Sequence, residues 1–262
     1  MKHALSLLVL VFASACATVT TQDVPPAAKA ELAPTGKLRA ALLAANPNFV
    51  TQNTPPGVTR GVAVEIAERL AKRLQVPMVP ILYPSVAELI ASAGKDEWDI
   101  TFLVIDPERA EFVNFTAPYM YIESTFLVPA GSTAQGLADL DRTGKTIVAA
   151  ARGTQEKWLR ANAKSATLLT ASSGAAANQM LREGKVDAVA GATAVLTEAS
   201  RGIPGSRLLA GSFVDSPIGM GVARRKPAAF AYAFEFIDQL KTSGEIRAWI
   251  EREKLAGVRA AN

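Results

Sequence analysis

Residues 98–119 read WDITFLVIDPERAEFVNFTAPY. Asp99 to Ile105 is a short apolar run of buried-strand character, closed by Asp106-Pro107, a pair suited to cap a helix and open its first turn. Arg109 therefore falls just past the carboxyl end of a buried strand, the edge at which open α/β sheets bind ligands. A cation in the first turn of a helix opposes the macrodipole by about 0.3–1 kcal/mol, and functional sites carry local conflicts of this kind. The plainer alternative is an exposed arginine compensated by Asp106 or Glu111.

Outward from this stretch, strand-like runs alternate with amphipathic helical ones, which predicts an α/β fold with mostly parallel sheets. Leu38 to Leu43 reads as a strand. Val62 to Leu74 places Val62, Ile66, Leu70 and Leu74 on one helical face, with Glu65/Arg69 and Glu68/Lys72 at i,i+4 on the other. Val76 to Tyr83 is a strand, and Ser85-Val-Ala-Glu88 opens a helix with a capping box that stops at Gly94. A second round follows: strand Thr146 to Ala150, helix Gln155 to Ala163, strand Thr167 to Ala171, helix Ala175 to Glu183, strand Asp187 to Ala190 and strand Arg207 to Phe213. A helix closing at Gly94 before Asp99 is echoed by one closing at Gly184 before Asp187, so two similar lobes are expected. Ser216 to Ala223 is a further strand. Pro227 then opens a helix in which Phe230, Phe234, Ile237 and Leu240 share a face, and a last helix carries Ile246, Trp249 and Ile250.

The 262 residues are 49% hydrophobic, 20% charged and 6% aromatic, an ordinary globular composition. A formal charge of +4 without a basic tract argues against nucleic-acid binding. The one histidine is His3 and the one cysteine is Cys16. A body without either has no Ser-His-Asp or Cys-His nucleophile, no His or Cys zinc site and no disulfide.

Lys2 and His3 precede the apolar run Ala4 to Phe12 and the small residues Ala13, Ser14 and Ala15, the order of a secretory leader over 1–15. That run is too short to cross about 30 Å of hydrocarbon. Ala13-Ser14-Ala15-Cys16 resembles the lipobox of bacterial lipoproteins, which would make Cys16 the acylated first residue. Ala-x-Ala equally suits the ordinary signal peptidase, so a lipid-anchored and a free periplasmic protein both stand. Ala17 to Lys37 is Ala/Thr/Pro-rich with no period, and a disordered tether is expected over 16–36.

Asp106-Pro-Glu-Arg109, Phe115-Thr-Ala-Pro-Tyr119 and Gly61-Val-Ala-Val-Glu65 together resemble the extracytoplasmic solute-binding proteins of ABC importers, in the family that typically binds polar amino acids. The resemblance runs from about Gly36 to the C-terminal helices. It implies a two-lobed periplasmic-binding-protein type II fold, two doubly wound sheets joined by two crossing strands. Lobe I would span 36–124 and 215–262, and lobe II 125–214. It further implies an importer subunit, not an enzyme, that binds a small carboxylate-bearing solute in the interlobe cleft and then docks on a membrane permease. No cofactor or metal is expected, and the chain should be a monomer.

By the same resemblance, Arg109 pairs bidentately with the ligand carboxylate, a task that a guanidinium fork suits. Thr101, Phe102 and Val104 would line the site, the last two through backbone only. In lobe II, Arg152-Gly-Thr-Gln155 opens a helix whose free N–H groups can hold an anion, implicating Gly153 and Thr154, the latter otherwise a simple N-cap. Phe49, after Asn46-Pro-Asn48, would form a wall, and Tyr119 and Tyr121 lie near the expected cleft.

Many amino-acid-binding members hold the ligand's ammonium with an acid where this chain has Ala192. Either another acid such as Asp215 takes over, or the ligand lacks an α-amino group. Two other functions remain open. One is a periplasmic dehydratase of the cyclohexadienyl type, whose general acid would be Glu108, Glu123 or Asp215. The other is a ligand-sensing module.

Overall fold

The computed structural model describes residues 23–44, 46, 48–52 and 59–262. The leader and Cys16 lie outside the described residues. The first lobe begins with α1 (Pro26–Leu32), β1 (Leu38–Leu43), the short pair β2 (Thr51–Gln52) and β3 (Thr59–Arg60), and α2 (Val62–Leu74). It continues through β4 (Met78–Tyr83), α3 (Val86–Ala91), β5 (Ile100–Val104), a single 3-10 turn at Arg109–Glu111, and β6 (Val113–Phe115). The strand β7 (Met120–Val128) leads into the second lobe: α4 (Leu137–Leu140), β8 (Thr146–Ala150), α5 (Thr154–Asn162), β9 (Thr167–Ala171), α6 (Gly174–Arg182), β10 (Ala188–Ala192), α7 (Thr193–Arg201) and β11 (Arg207–Leu208). The chain returns through β12 (Val214–Ala223) to α8 (Pro227–Thr242), α9 (Glu245–Glu253) and β13 (Val258–Ala260).

The lobes repeat one plan. In the first, β4, β1 and β5 run parallel and β12 closes antiparallel to β5; in the second, β9, β8 and β10 run parallel and β7 closes antiparallel to β10. Because β7 also pairs with β12, from Met120↔Ile218 to Ser124↔Val214, the sheets of both lobes join in one continuous ladder. The echo of Asp99 by Asp187 has a physical basis. Asp99 accepts from the Arg39 backbone N–H at 2.9 Å, at the start of β1, and Asp187 accepts from the Thr146 N–H at 2.9 Å, at the start of β8. In each lobe an aspartate before the third strand ties down the first.

The first-lobe core gathers β1, α2, β5, α8 and α9, and Val62, Ile66, Leu70 and Leu74 are fully buried as their spacing predicts. The expected Glu65/Arg69 pair is replaced by contacts to α9: Glu65 meets Arg252 at 2.5 Å and Arg69 meets Glu245. Ser85 caps α3 as expected, accepting from the Glu88 N–H at 3.2 Å, but the Glu88 carboxylate accepts from the Ser85 hydroxyl at 3.2 Å, so only the N-cap half of the expected box is made. The second-lobe sheet is covered on both faces. One core holds Phe126, Leu159 and Ala190 beside α5, with Phe213 stacked on Phe126 at 4.5 Å, and the other holds Leu127, Val148, Leu181 and Leu196.

Several expectations need correction. The stretch 16–36 is not a disordered tether throughout, because Pro26–Leu32 is a helix that buries Ala28 and Leu32 against the first-lobe core. Its Glu31 also accepts from the Ala229 N–H at 2.8 Å, so α1 satisfies an orphan amide of α8. The buried face of α8 is Ala229, Tyr232, Ala233, Phe236, Ile237 and Leu240; Phe234 is 45% exposed and stands edge-on to Phe230 outside. Arg207 to Phe213 pairs as a strand only over Arg207–Leu208, since Gly211 at φ +77° turns the chain. The helix α7 was not read from the sequence, and its N-cap, Ala192, offers no side-chain signal.

Candidate functional site

The β5 strand ends at Val104, and the turn that follows brings Arg109 back over it. Asp106 Oδ1 accepts from the Arg109 N–H at 3.1 Å, the cap expected from sequence, but what it caps is one 3-10 turn. No long helix stands behind Arg109, so the macrodipole conflict expected there does not arise. What sets the arginine apart is burial: it is 2% exposed. Its Nη1 donates to the Val104 carbonyl at 3.2 Å, its Nη2 donates to the Arg152 carbonyl at 3.1 Å, and its Nε lies 3.1 Å from Asp106 Oδ2. One guanidinium thus bridges a carbonyl of each lobe. Burial pulls its pKa below the ordinary value, opposed by Asp106 and Glu108, and an arginine so placed stays charged.

Lobe II presents the start of α5 to this group. Arg152 adopts a left-handed φ of +58° and Gly153 is the N-cap, where a Cβ would lie 3.0 Å from the Ala150 carbonyl oxygen. Thr154 is the first helical residue rather than the cap, and it is half-buried. Gln155 Nε2 donates to Ser124 Oγ at 2.8 Å, fixing the turn against β7. Ion pairs surround the guanidinium: Arg152 with Glu108 at 2.7 Å, and Lys157 with Glu108 at 2.6 Å and Asp106 at 3.3 Å. These contacts all cross between lobes. The sequence reading missed Lys157 and Ser124, because their significance lies in contacts across the gap that no local pattern announces.

Arg109 and the Val104 carbonyl are therefore brought together, and Gly153 and Thr154 follow directly in the chain on Arg152, whose carbonyl Arg109 meets. The other expected residues are not. Thr101 is buried and donates its hydroxyl to the Ala41 carbonyl at 3.1 Å. Phe102 is buried edge-on to Tyr119 at 6.0 Å, and Phe49 is buried in the same core. Flanked by β1 and β12, β5 is a central strand of the first-lobe sheet, and Thr101 and Phe102 are both buried in it. Phe49 is held by Gly61, where a Cβ would lie 2.4 Å from its carbonyl oxygen. Tyr121 lies under Arg259, with the guanidinium carbon 4.2 Å from the ring centroid.

The space around the guanidinium is closed over. Behind Arg109 lies a cavity of about 10 Å³ lined by Leu89, Trp98 and Leu103, too small for a solute. A cavity of about 420 Å³ sits at the opposite end of β5, lined by Asp96, Trp98, Phe112, Arg224 and Arg225. Geometry favours the arginine over the larger cavity as the site, because only there do buried charge and two lobes converge. Among the described residues no cluster of His, Cys, Asp or Glu could hold a metal ion, and no helix is long and apolar enough to cross a membrane.

Glu108 reports on this closure. Lys157, then Arg152, hold its carboxyl down to about 2. A carboxyl depressed in the folded state contributes fully above its ordinary value and loses that contribution as pH falls through the lowered one. The Glu108 contacts are thus expected to hold the lobes unchanged between about pH 5 and 8 and to fail only in strong acid. Small-angle scattering checks this, and an expansion on going from pH 8 to about 5 would contradict it.

The family profile of bacterial extracellular solute-binding proteins, family 3, matches residues 38–252. The chain is 31% identical over 140 residues to a cyclohexadienyl dehydratase of Pseudomonas aeruginosa, covering 51% of either protein, so it spans about half the length of that relative. It is 23% identical over 213 residues to the ABC transporter glutamine-binding protein GlnH of Bacillus subtilis, covering 78% of each. Among solved structures, the solute receptor for L-cysteine of Neisseria gonorrhoeae aligns with a TM-score of 0.77 at 21% identity, over 89% of this chain and 99% of the other. That likeness carries the two-lobed type II fold.

Proposed function

The chain belongs to the bacterial extracellular solute-binding proteins, family 3, and from that premise we propose that it is the substrate-binding component of an ABC importer, holding a small solute by its carboxylate between the lobes. The observation that carries this reading is the buried Arg109 guanidinium, which spans from the Val104 carbonyl in one lobe to the Arg152 carbonyl in the other. On opening, Arg152 withdraws and the guanidinium gains a free edge. A carboxylate then takes the place of the Arg152 oxygen, and the first-turn amides of α5, with Thr154, meet it from the second lobe. Since both lobes contribute contacts only when closed, the solute favours the closed form by its differential affinity.

Family membership supports the remainder of the reading, and the residue pattern at the start of the chain supports its export. Lobe I is assigned 36–124 and 215–262 and lobe II 125–214, and the closed monomer docks on a membrane permease. The protein works outside the cytoplasm, exported by residues 1–15, with Cys16 either acylated or removed with the leader.

The likeness to a dehydratase favours a second reading, an elimination of water and carbon dioxide from prephenate or arogenate. It requires a protonated carboxyl beside the substrate. Glu108 is held ionised by Lys157 and Arg152. Glu123 and Asp215 are register partners on β7 and β12, one position away from Ser124 and Val214, so strand alternation turns them to the face away from Gln155. We therefore read the chain as a binder.

Thermal-shift and calorimetric screening of amino and organic acids tests this, with binding of at least one carboxylate expected and none of a neutral analogue. Phenylpyruvate formed from prephenate, followed by ultraviolet absorbance, would overturn it in favour of the enzyme.

A further inference from the structure

We propose that the interlobe site takes a small monocarboxylate that carries no ammonium group; this deepens the function proposed above and rests on it. The acids at the gap already stand against cations, Asp106 Oδ2 by charge alone and without a hydrogen bond. Asp106 Oδ1 accepts from the Arg109 N–H at 3.1 Å and from Lys157 at 3.3 Å, and its Oδ2 lies 3.1 Å from Arg109 Nε. Glu108 divides its oxygens between Arg152 at 2.7 Å and Lys157 at 2.6 Å. Glu156 accepts from Arg160 at 2.8 Å, from the Thr170 hydroxyl at 2.9 Å and from the Arg152 N–H at 2.6 Å. Asp106 and Glu108 stand against Arg109, Arg152 and Lys157. One positive charge is left over, and one carboxylate neutralises it.

Other acids do not reach the gap. Residues 45–59 contain neither Asp nor Glu. Glu123 and Asp215 face the other side of the β7/β12 ribbon, where Asp215 accepts from Ser212 Oγ at 2.9 Å and from Arg259 at 3.3 Å. Asp215 is thus not the replacement acid considered from sequence. Glu111 lies on an exposed turn whose carbonyl accepts from Arg224 at 3.0 Å.

The inner face of that ribbon carries a methyl group instead of a charge. Ala192 is the register partner of Ser124 and so shares its face, and although it belongs to a second-lobe strand it packs against the first-lobe core. An ammonium drawn into the gap would lose its hydration next to a surplus cation, with no free carboxylate to replace the lost water.

Calorimetry on the full chain with matched pairs tests this: L-glutamine against 4-carbamoylbutanoate, L-leucine against 4-methylpentanoate, and L-phenylalanine against 3-phenylpropanoate. In each pair that binds, the member without the amino group is expected to bind at least about tenfold more tightly. An amino acid that binds equally or better overturns this inference while leaving the importer reading intact. If no member of any pair binds, the importer reading fails and takes the inference with it. Ala192→Asp places an acid at a helix N-cap, which it suits, and is expected to cut the ratio to below about threefold. A ratio that stays at wild-type value in the folded variant overturns the role given to this face.

Discussion

Arg109→Gln is expected to weaken binding of any carboxylate found by the screen by at least about a hundredfold, because each 1.4 kcal/mol is a factor of ten and a charged, desolvated pair contributes about 3 kcal/mol or more. Arg109→Lys is expected to restore little of this. An ammonium is a point donor, and it cannot reach the Val104 carbonyl and a carboxylate with the parallel N–H groups of a guanidinium. The glutamine variant must be shown to be folded, since it leaves the Val104 and Arg152 carbonyls without the donors they have now. Circular dichroism and the urea midpoint provide that control. A folded variant that retains full affinity would remove the arginine from the site and with it the basis of the proposed function.

Asp99→Ala should give the largest loss of stability, about 3–5 kcal/mol by urea unfolding. Its side chain is fully buried and receives Arg39 through the backbone N–H at 2.9 Å, Nε at 3.0 Å and Nη2 at 2.9 Å, with Lys226 at 3.3 Å. Removing it takes the acid from Lys226 and leaves Arg39 with only the exposed Asp96, at 3.2 Å. Asp187 holds the matching place in the other lobe but is 33% exposed, with Lys145 at 2.7 Å. Water can replace much of what it supplies, so Asp187→Ala should cost only about 1 kcal/mol. Equal losses would mean that burial is not what separates the two aspartates.

The elements legible in the sequence were those that carry their own reasons. β1, α2, β8 and β9 begin and end as their apolar periods predict, and Ser85 is the N-cap of α3. By contrast, α1 is seven residues of Ala-rich chain held by packing and by Glu31 against Ala229, 198 positions away. No local reading finds such a partner. The buried side of α8 was misjudged for a related reason: Phe230 and Phe234 are the more hydrophobic choice, but Ala229 and Ala233 let α1 and the sheet approach closely.

At the site, Arg109 was legible because its place at the end of β5 can be read from one stretch. Thr101 was expected at the site with it, yet its hydroxyl is spent on the Ala41 carbonyl, while Phe102, expected there through its backbone only, packs its ring against Tyr119. Lys157 could not be singled out, because a lysine in an amphipathic helix gives no sign that its partners, Asp106 and Glu108, lie across the gap.

The way β7 is bonded also limits how the molecule can move. It is paired on one edge with β12 and on the other with β13, and further along with β10 and β11. Sliding one half past the other would break these backbone bonds together, whereas a rotation would be taken up where the chain crosses between the lobes at Ser124 and Val214, which are themselves register partners, so that the twist falls on their pairing. Opening of the kind proposed would therefore wind the two extended segments like a torsion spring, with its amplitude set by how much twist they tolerate.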